Sequence, residues 1–220
     1  MNDIIKQIRT DLRLSMNGAV SASMRDKGVN YRMNFGVGIP RIKQISEKYG
    51  KDKQLAEILW SEDVRELKIL ATMIYPLEEF SIEDANKWIS VNLDQEMREQ
   101  LCKNLFQYLT YADVLVEDWI KSESEDIRST GYWLFARLCI VKSEATDRVN
   151  AGDLLDSAIT DLKGESLMLR QSAVNVFKFY GRLSDSNASE VMQKVSRFEV
   201  STDSLEKEVL SMLKFEFDME

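Results

Sequence analysis

The chain has 220 residues, of which 44% are hydrophobic and 30% charged, and it contains no histidine. Without imidazole, Ser-His-Asp triads, Cys-His pairs and HExxH zinc sites are excluded, so any chemistry must use carboxylates, Lys, Tyr, Ser, Cys or Trp. The longest uncharged run, 14–24, is far shorter than the roughly 20 apolar residues of a membrane span, and the mixed-charge start has no signal-peptide core. We therefore expect a cytoplasmic protein with no membrane partner.

The net charge of −8 is distributed unevenly along the chain. Residues 1–50 hold nine basic and four acidic side chains, whereas the remaining 170 residues hold 20 basic and 33 acidic ones. A polyanion would therefore meet a receptive surface mainly near the N-terminal end. The two cysteines, Cys102 and Cys139, form no CxxC pair and have apolar neighbours, which predicts buried, reduced thiols.

Apolar residues recur at helical spacing along most of the chain, and no segment shows the sustained alternation that is typical of a strand. Glycine (9) and proline (2) are scarce, so turns are few. The periodicity predicts helices, in chain order, over 2–16, 18–27, 40–49, 52–60, 63–76, 81–91, 95–109, 111–121, 124–141, 150–162, 165–182, 186–198 and 203–216.

The segment 28–45, GVNYRMNFGVGIPRIKQI, breaks this pattern. Gly36 and Gly38 flank Val37, and Pro40 follows at a predicted first helical turn. The spacing differs from GxxxxGK[ST] and no strand precedes it, so the segment predicts a tight loop leading into a helix rather than a phosphate-binding loop.

Two stretches are nearly identical: SEDVR at 61–65 and SEDIR at 124–128, each followed by an apolar helical run. Serine is a favoured N-cap and the two acids suit the positive end of the helix dipole, so both stretches predict a helix start. The pattern recurs around Arg98 and Arg170, and Lys207 marks a degenerate last copy.

The arginines at 65, 98, 128 and 170 are spaced 30 to 42 residues apart, and an amphipathic segment precedes each of them. The repeating unit is therefore a helix pair, which cannot bury its apolar stripe until copies stack side by side. We predict an all-α fold, a HEAT-like helical-repeat solenoid of about 12 helices with a concave groove. The prediction is one domain over 1–220, with N-terminal helices at 1–50, repeats at about 52–76, 81–109, 111–141 and 150–182, and a C-terminal pair at 186–216.

The row of arginines has two interpretations. In the structural one, each arginine pairs with an acid of its own or the neighbouring repeat and fixes the stacking. In the functional one, an arginine of an inner helix points into the groove, where its planar fork suits the oxygens of a phosphodiester.

The N-terminal segment resembles the DNA alkylation repair family of HEAT-like proteins, the AlkD-like glycosylases. The resemblance lies in Phe35-Gly36-Val37 with Pro40 and in the pair Leu59-Trp60, which closes a helix ahead of an arginine-opened one. The later stretches DWIKSESEDIRSTGYW and MLRQSAVNVFKFYGR are similar to the family's last repeats, so the resemblance covers roughly 28–182.

The resemblance implies a protein that wraps duplex DNA and excises cationic N-alkylpurines such as 3-methyladenine or 7-methylguanine, without metal or cofactor. In that chemistry a carboxylate flanked by tryptophans stabilises the oxocarbenium-like sugar, and an arginine holds the DNA backbone. The backbone-holding arginine falls on Arg128. Further predicted backbone contacts are Arg25, Lys27, Arg32 and Arg41.

The implied catalytic positions are not kept. The stretch 94–100 offers Asp94 and Arg98 but no tryptophan, and the last-repeat tryptophan falls on Asn175. Asp94 and Glu99 are the candidates for a replacement carboxylate. The other tryptophans, Trp88, Trp119 and Trp133, lie in apolar runs and are expected in the core.

Three functions follow as hypotheses. The first is a monomeric DNA-binding member of the family whose glycosylase activity is weakened or lost. The second is a protein- or peptide-binding HEAT scaffold with no nucleic-acid role. The third is a glycosylase that uses Asp94 or Glu99 without the tryptophans.

Overall fold

The computed structural model describes residues 1–91 and 93–218, and 72% of the chain is helical. These described ranges contain thirteen α-helices and no β-strand, which confirms the all-α prediction. The α-helices are α1 (Asn2–Leu14), α2 (Gly18–Asp26), α3 (Ile39–Ser46), α4 (Lys53–Ser61), α5 (Arg65–Ile74), α6 (Ile82–Ile89), α7 (Gln95–Asn104), α8 (Ala112–Trp119), α9 (Glu125–Ile140), α10 (Ala151–Asp161), α11 (Leu167–Gly181), α12 (Asp185–Val195) and α13 (Ser204–Glu216). Short 3-10 helices cover Leu77–Glu79, Phe106–Tyr108, Glu144–Arg148 and Ser196–Glu199.

The largest difference from the predicted helices concerns the one expected over 95–109. Helix α7 ends at Asn104, and a 3-10 helix follows at Phe106–Tyr108. There the N–H of Leu109 donates to the carbonyl of Phe106, three residues back, at 3.1 Å. Over a single turn, periods of 3.0 and 3.6 residues leave nearly the same apolar pattern, so the sequence does not reveal the change.

Serine and asparagine caps begin most of the later helices. Ser124, Asn150, Ser166 and Ser184 each accept a hydrogen bond from the N–H three residues ahead, at 3.5, 3.2, 3.3 and 3.2 Å. These bonds satisfy N–H groups that have no partner within the first turn of a helix. The predicted cap of α9 by the serine of SEDIR is therefore confirmed.

The corresponding prediction for SEDVR is wrong. Ser61 is the last residue of α4, and α5 begins at Arg65 after Val64, which offers no side-chain cap. The N–H of Arg65 donates instead to the carbonyl of Met33 at 3.2 Å, and the N–H of Met33 donates to Asp63 at 3.2 Å. This isolated parallel bridge supplies the partner that a capping serine would have given.

The chain forms two compact units, and the first comprises Met1–Ala85 and Glu99–Leu105. In it α3 packs against α5 and α1, and α4 packs along α5. Its core includes aliphatic side chains that are 0% exposed, among them Ile8, Leu12, Ile42, Leu59 and Leu70. Burial of this stripe is the main stabilisation of helices that are too short to persist alone.

The second unit comprises the described residues of Asn86–Arg98 and Phe106–Glu220. In it α8 packs on α9, α10 on α11, and the second helices α9 and α11 lie side by side. Gly131 permits the close approach of α8, because a Cβ there would lie 3.1 Å from Trp119 Cβ and 3.2 Å from the backbone nitrogen of Ile120. That all 220 residues act as one domain stays a prediction.

Both cysteines are buried and neither forms a disulfide, as the sequence predicts. Among the described residues, no helix is long and apolar enough to cross a membrane.

Candidate nucleic-acid interface

Two repeat arginines, Arg128 and Arg170, have the same local geometry. Each lies four residues after the serine that caps its helix, and each folds back on the loop before that helix. Arg128 Nη1 donates to the carbonyls of Ser122 and Glu123 at 2.9 and 3.0 Å. Arg170 Nη1 donates in the same way to the carbonyls six and five residues before it, at 2.6 and 3.0 Å. The recurring arginine therefore fastens a loop within its own repeat.

Arg128 also forms a two-pronged ion pair with Asp161. Its Nε and Nη2 donate to the two carboxylate oxygens at 2.9 and 3.1 Å, and the Tyr132 hydroxyl donates to the same carboxylate at 2.7 Å. The hydrogen bonds to Asp161 raise the pKa of Arg128, and burial with the Asp161 contact raises the pKa of Tyr132. Every guanidinium nitrogen of Arg128 thus has a partner, so a DNA phosphate would have to displace Asp161.

Arg98 lies on α7 at the place where the resemblance implies a catalytic carboxylate. It is 0% exposed. Its Nε donates to Thr130 Oγ1 at 3.0 Å and its Nη1 to Gln95 Oε1 at 3.3 Å, with Met168 Sδ also in contact. Nη2 lies 3.5 Å from the half-exposed carboxylate of Asp126. The side chain is a buried cation whose contacts are mainly polar groups.

Arg65 and Glu66 bind the Phe35-Gly36-Val37 segment on which the family resemblance rests. The Glu66 carboxylate is 0% exposed and accepts the N–H groups of Phe35 and Val37 at 3.0 and 3.2 Å. Arg65 Nη1 donates to Glu66 and to the carbonyl of Val37, both at 2.9 Å. The motif therefore has a structural partner at the start of α5.

The two candidate carboxylates have ordinary positions. Asp94 Oδ1 accepts the N–H of Met97 at 2.7 Å, so it acts as a cap for the first turn of α7. Glu99 is partly buried on the same helix. Neither is shown to be part of a catalytic arrangement, and both stay predictions.

The tryptophans are mostly core residues, as expected. Trp88 and Trp119 are 2% and 3% exposed, and the Trp119 indole N–H donates to Asn86 Oδ1 at 2.8 Å. Trp60 lies under the ammonium of Lys68, 4.7 Å from the ring centroid. Trp133 differs, because it is only partly buried on α9, and Asn175 is likewise partly buried on α11.

The predicted N-terminal cations have a different setting from the repeat arginines. Arg25, Lys27, Arg32 and Arg41 are all exposed. Over the described ranges, no carboxylate lies within 4.0 Å of their charged nitrogens. Arg41 donates only to neutral groups, Ser15 Oγ at 3.0 Å and Gln44 Oε1 at 3.1 Å. These four cations are therefore available to an external anion.

Sequence reasoning missed the acidic partners, Glu66 and Asp161. Glu66 follows Arg65 directly, and Asp161 ends α10, the helix that precedes the next arginine-bearing helix. Two isolated acids in an acid-rich chain give no periodic signal, so only the fold pairs them. Among the described residues, no group of three or more Asp, Glu or Cys side chains could hold a metal ion.

Paired helices with a recurrent arginine near the start of the second helix define a HEAT-like helical-repeat protein. The model of the family described as DNA alkylation repair enzyme matches residues 8–186. The chain therefore belongs to that family.

Two solved structures resemble the fold. One belongs to a new family related to the HEAT-like repeat DNA glycosylases with affinity for branched DNA structures, with TM-score 0.76, 15% identity, and coverage of 98% of this chain and 96% of that chain. The other is a designed armadillo repeat protein, with TM-score 0.47, 11% identity, and coverage of 82% and 87%. No curated protein matches the chain. At 15% identity the likeness to the first structure shows the fold alone.

Proposed function

We propose that this protein binds DNA through the exposed cations of its first 50 residues, and that the glycosylase activity implied by its family is weakened or lost. The observation that carries the proposal is the setting of Arg25, Lys27, Arg32 and Arg41, which are exposed and form no ion pair with any carboxylate of residues 1–91 and 93–218. Guanidinium and ammonium groups of this kind release counterions when they meet phosphates, which drives DNA binding.

Family membership supports DNA as the anion. The related structure of a protein with affinity for branched DNA has the same fold over nearly the whole chain. Duplex DNA is the form of ligand that the resemblance implies, and the basic balance of residues 1–50 fits it. Arg128 contributes little in this proposal, because its donors already bind Asp161 and two carbonyls.

We infer the loss of glycosylase activity from the side chains at the first turn of α7. A glycosidic bond that breaks toward an oxocarbenium ion is stabilised by a nearby negative charge. Here the corresponding turn holds the buried cation Arg98, and Asp94 is occupied as a helix cap. A buried guanidinium cannot supply the negative charge that the developing oxocarbenium ion needs.

Fluorescence anisotropy with a labelled duplex tests the proposal. The variant R25Q/K27Q/R32Q/R41Q should weaken binding and lower the slope of log affinity against log salt by about 3 to 4, since each lost phosphate contact removes about 0.9. The matched control K121Q/K142Q/R197Q/K207Q removes the same charge from exposed positions of the second unit and should leave the slope unchanged. Equal effects of the two variants, or no binding by the wild type, would contradict the proposal.

The same preparation should release 7-methylguanine from alkylated DNA no faster than buffer does. Catalysed release that D94N or E99Q abolishes would show instead that a replacement carboxylate is active.

A further inference from the structure

The chain between α1 and α2 exposes apolar side chains. Leu14 is 80% exposed, Met16 61% and Val20 37%. We call residues 14–20 the tip. Single exposed apolar residues are common on protein surfaces, but three within seven residues at the junction of two helices make the tip an exposed apolar segment.

The backbone of the tip is firmly held. The N–H of Asn17 donates to the carbonyl of Phe35 at 2.9 Å, and Asn17 Oδ1 accepts the N–H of Val20 at 3.1 Å. Gly36 has φ of +68°, and a Cβ there would lie 2.7 Å from the nitrogen of Ser21 and also overlap the carbonyl oxygen of Asn17. Only glycine permits this contact.

The anchor continues into the core. Glu66 accepts the N–H groups on both sides of Gly36, and Arg65 neutralises Glu66. The Phe35-Gly36-Val37 segment therefore links a buried ion pair at the start of α5 to the tip. Side chains on a fixed support lose less conformational freedom on binding than side chains on a mobile loop.

The charges around the tip are positive. Arg13, in the last turn of α1, is exposed, and Arg41 Nε lies 3.0 Å from Ser15 Oγ, within the tip. The nearest acid along α1, Asp11, is neutralised by Lys48 at 2.8 Å and is 17% exposed. An exposed apolar segment flanked by arginines is complementary to a ligand with both flat apolar faces and phosphates.

A DNA ligand that contacts the tip in this way must also have exposed base faces. An intact duplex buries them, and separating one step costs a few kcal/mol, whereas a gap, bulge or branch already exposes them. A protein partner fits less well, because a stable protein interface needs roughly 800 Å² on each side and three side chains provide far less.

We propose that the tip is a wedge for DNA whose base stacking is interrupted. Leu14 and Met16 cover exposed base faces at the discontinuity, while Arg13 and Arg41 contact the flanking phosphates. This inference rests on the proposed DNA binding and specifies its preferred substrate.

Anisotropy with an intact duplex and a three-way junction of equal nucleotide number tests the wedge. We expect the wild type to prefer the junction by about tenfold, which corresponds to avoiding about 1.4 kcal/mol of unstacking. L14S/M16S should abolish this preference and leave duplex affinity within about twofold. The matched control L167S/V200S removes two side chains that are 61% and 89% exposed elsewhere, and should retain the preference. A 2-aminopurine at the branch should change fluorescence with the wild type and not with L14S/M16S.

Each of the opposite results would contradict either the wedge or the proposed DNA binding. Equal affinity for duplex and junction, or an undiminished preference in L14S/M16S, would overturn the wedge while leaving the proposed DNA binding intact. A wild-type dimer in light scattering that L14S/M16S converts to a monomer would show that a second copy covers the tip. Failure to bind either DNA would remove the proposed function itself.

Discussion

The arginines of the first 50 residues and those of the later repeats carry the same charge in opposite surroundings. Arg25 and Arg32 are exposed, and no carboxylate of the residues that the structure describes lies within 4.0 Å of their guanidinium groups. Arg98, by contrast, is fully buried, and Arg128 is enclosed by Asp161 and two loop carbonyls. The setting of a basic residue, more than its position in a repeat, therefore decides whether it can serve a ligand. The contacts of Arg98 and Arg128 fit the structural interpretation of the repeat arginines, whereas binding of DNA by the N-terminal cations stays a prediction.

Removal of the Glu66 charge should give the largest effect. In Glu66→Gln, one of the two backbone N–H groups that now meet carboxylate oxygens would face an amide NH₂ instead, and buried Arg65 would lose its ion pair with Glu66. We expect a loss of about 3–5 kcal/mol in the free energy of unfolding, measured with urea. Glu83→Gln, at an exposed site of α6, is the control and should change stability by less than about 0.5 kcal/mol. A loss below about 1 kcal/mol in Glu66→Gln would break the claim that repeat charges are structural.

The Asp161 pair should give an intermediate effect. Asp161→Asn removes the charge that faces Arg128 and Tyr132, and we expect a loss of about 2–3 kcal/mol in urea unfolding. Asp113 forms an ion pair of the same two-pronged geometry with Arg148, at 2.8 and 3.0 Å, but Arg148 is far more exposed than Arg128. Asp113→Asn should therefore cost clearly less. Equal losses would show that enclosure of the pair is unimportant.

Alkaline pH should give the most gradual effect, which within the first pH unit above 9 is also the smallest. Burial raises the pKa of the Cys139 thiol on α9 from 9.0 to about 12. The folded protein thus keeps a proton that the unfolded chain releases, so this stabilisation is complete below pH 9 and is lost as pH rises toward 12. Its contribution to the slope is about 1.4 kcal/mol per pH unit within that window. Urea unfolding of Cys139→Ala between pH 8.5 and 10.5 should show a slope flatter by about that amount. An unchanged slope would mean that the thiol titrates normally in the folded protein.

The sequence alone was sufficient to predict the helices and the repeat. Apolar spacing located all thirteen α-helices, and the arginine spacing located the second helix of four pairs. The family followed from Phe35-Gly36-Val37 and the later repeats, and the matching residues 8–186 confirm it. These features are local, so a single chain displays them.

Features that depend on distant residues could not be read in this way. Ser61 looks like a cap, yet the bridge from Met33 takes that role, because residues 31 positions apart meet only in the fold. Arg128 looked available to DNA until Asp161 was placed beside it, 33 residues further along the chain. The exposure of the tip could not be predicted either, since Leu14 and Met16 are residue types that usually lie in the core.

The loop contacts of Arg128 and Arg170 have a consequence for how such an array could grow. Each side chain reaches carbonyls only five and six residues behind it, so the fastening travels with the segment that encodes it. A duplicated gene fragment that encodes one helix pair would therefore encode both the arginine and the loop carbonyls that it binds. Lengthening or shortening of the array by recombination would then need new surfaces only where one copy meets the next.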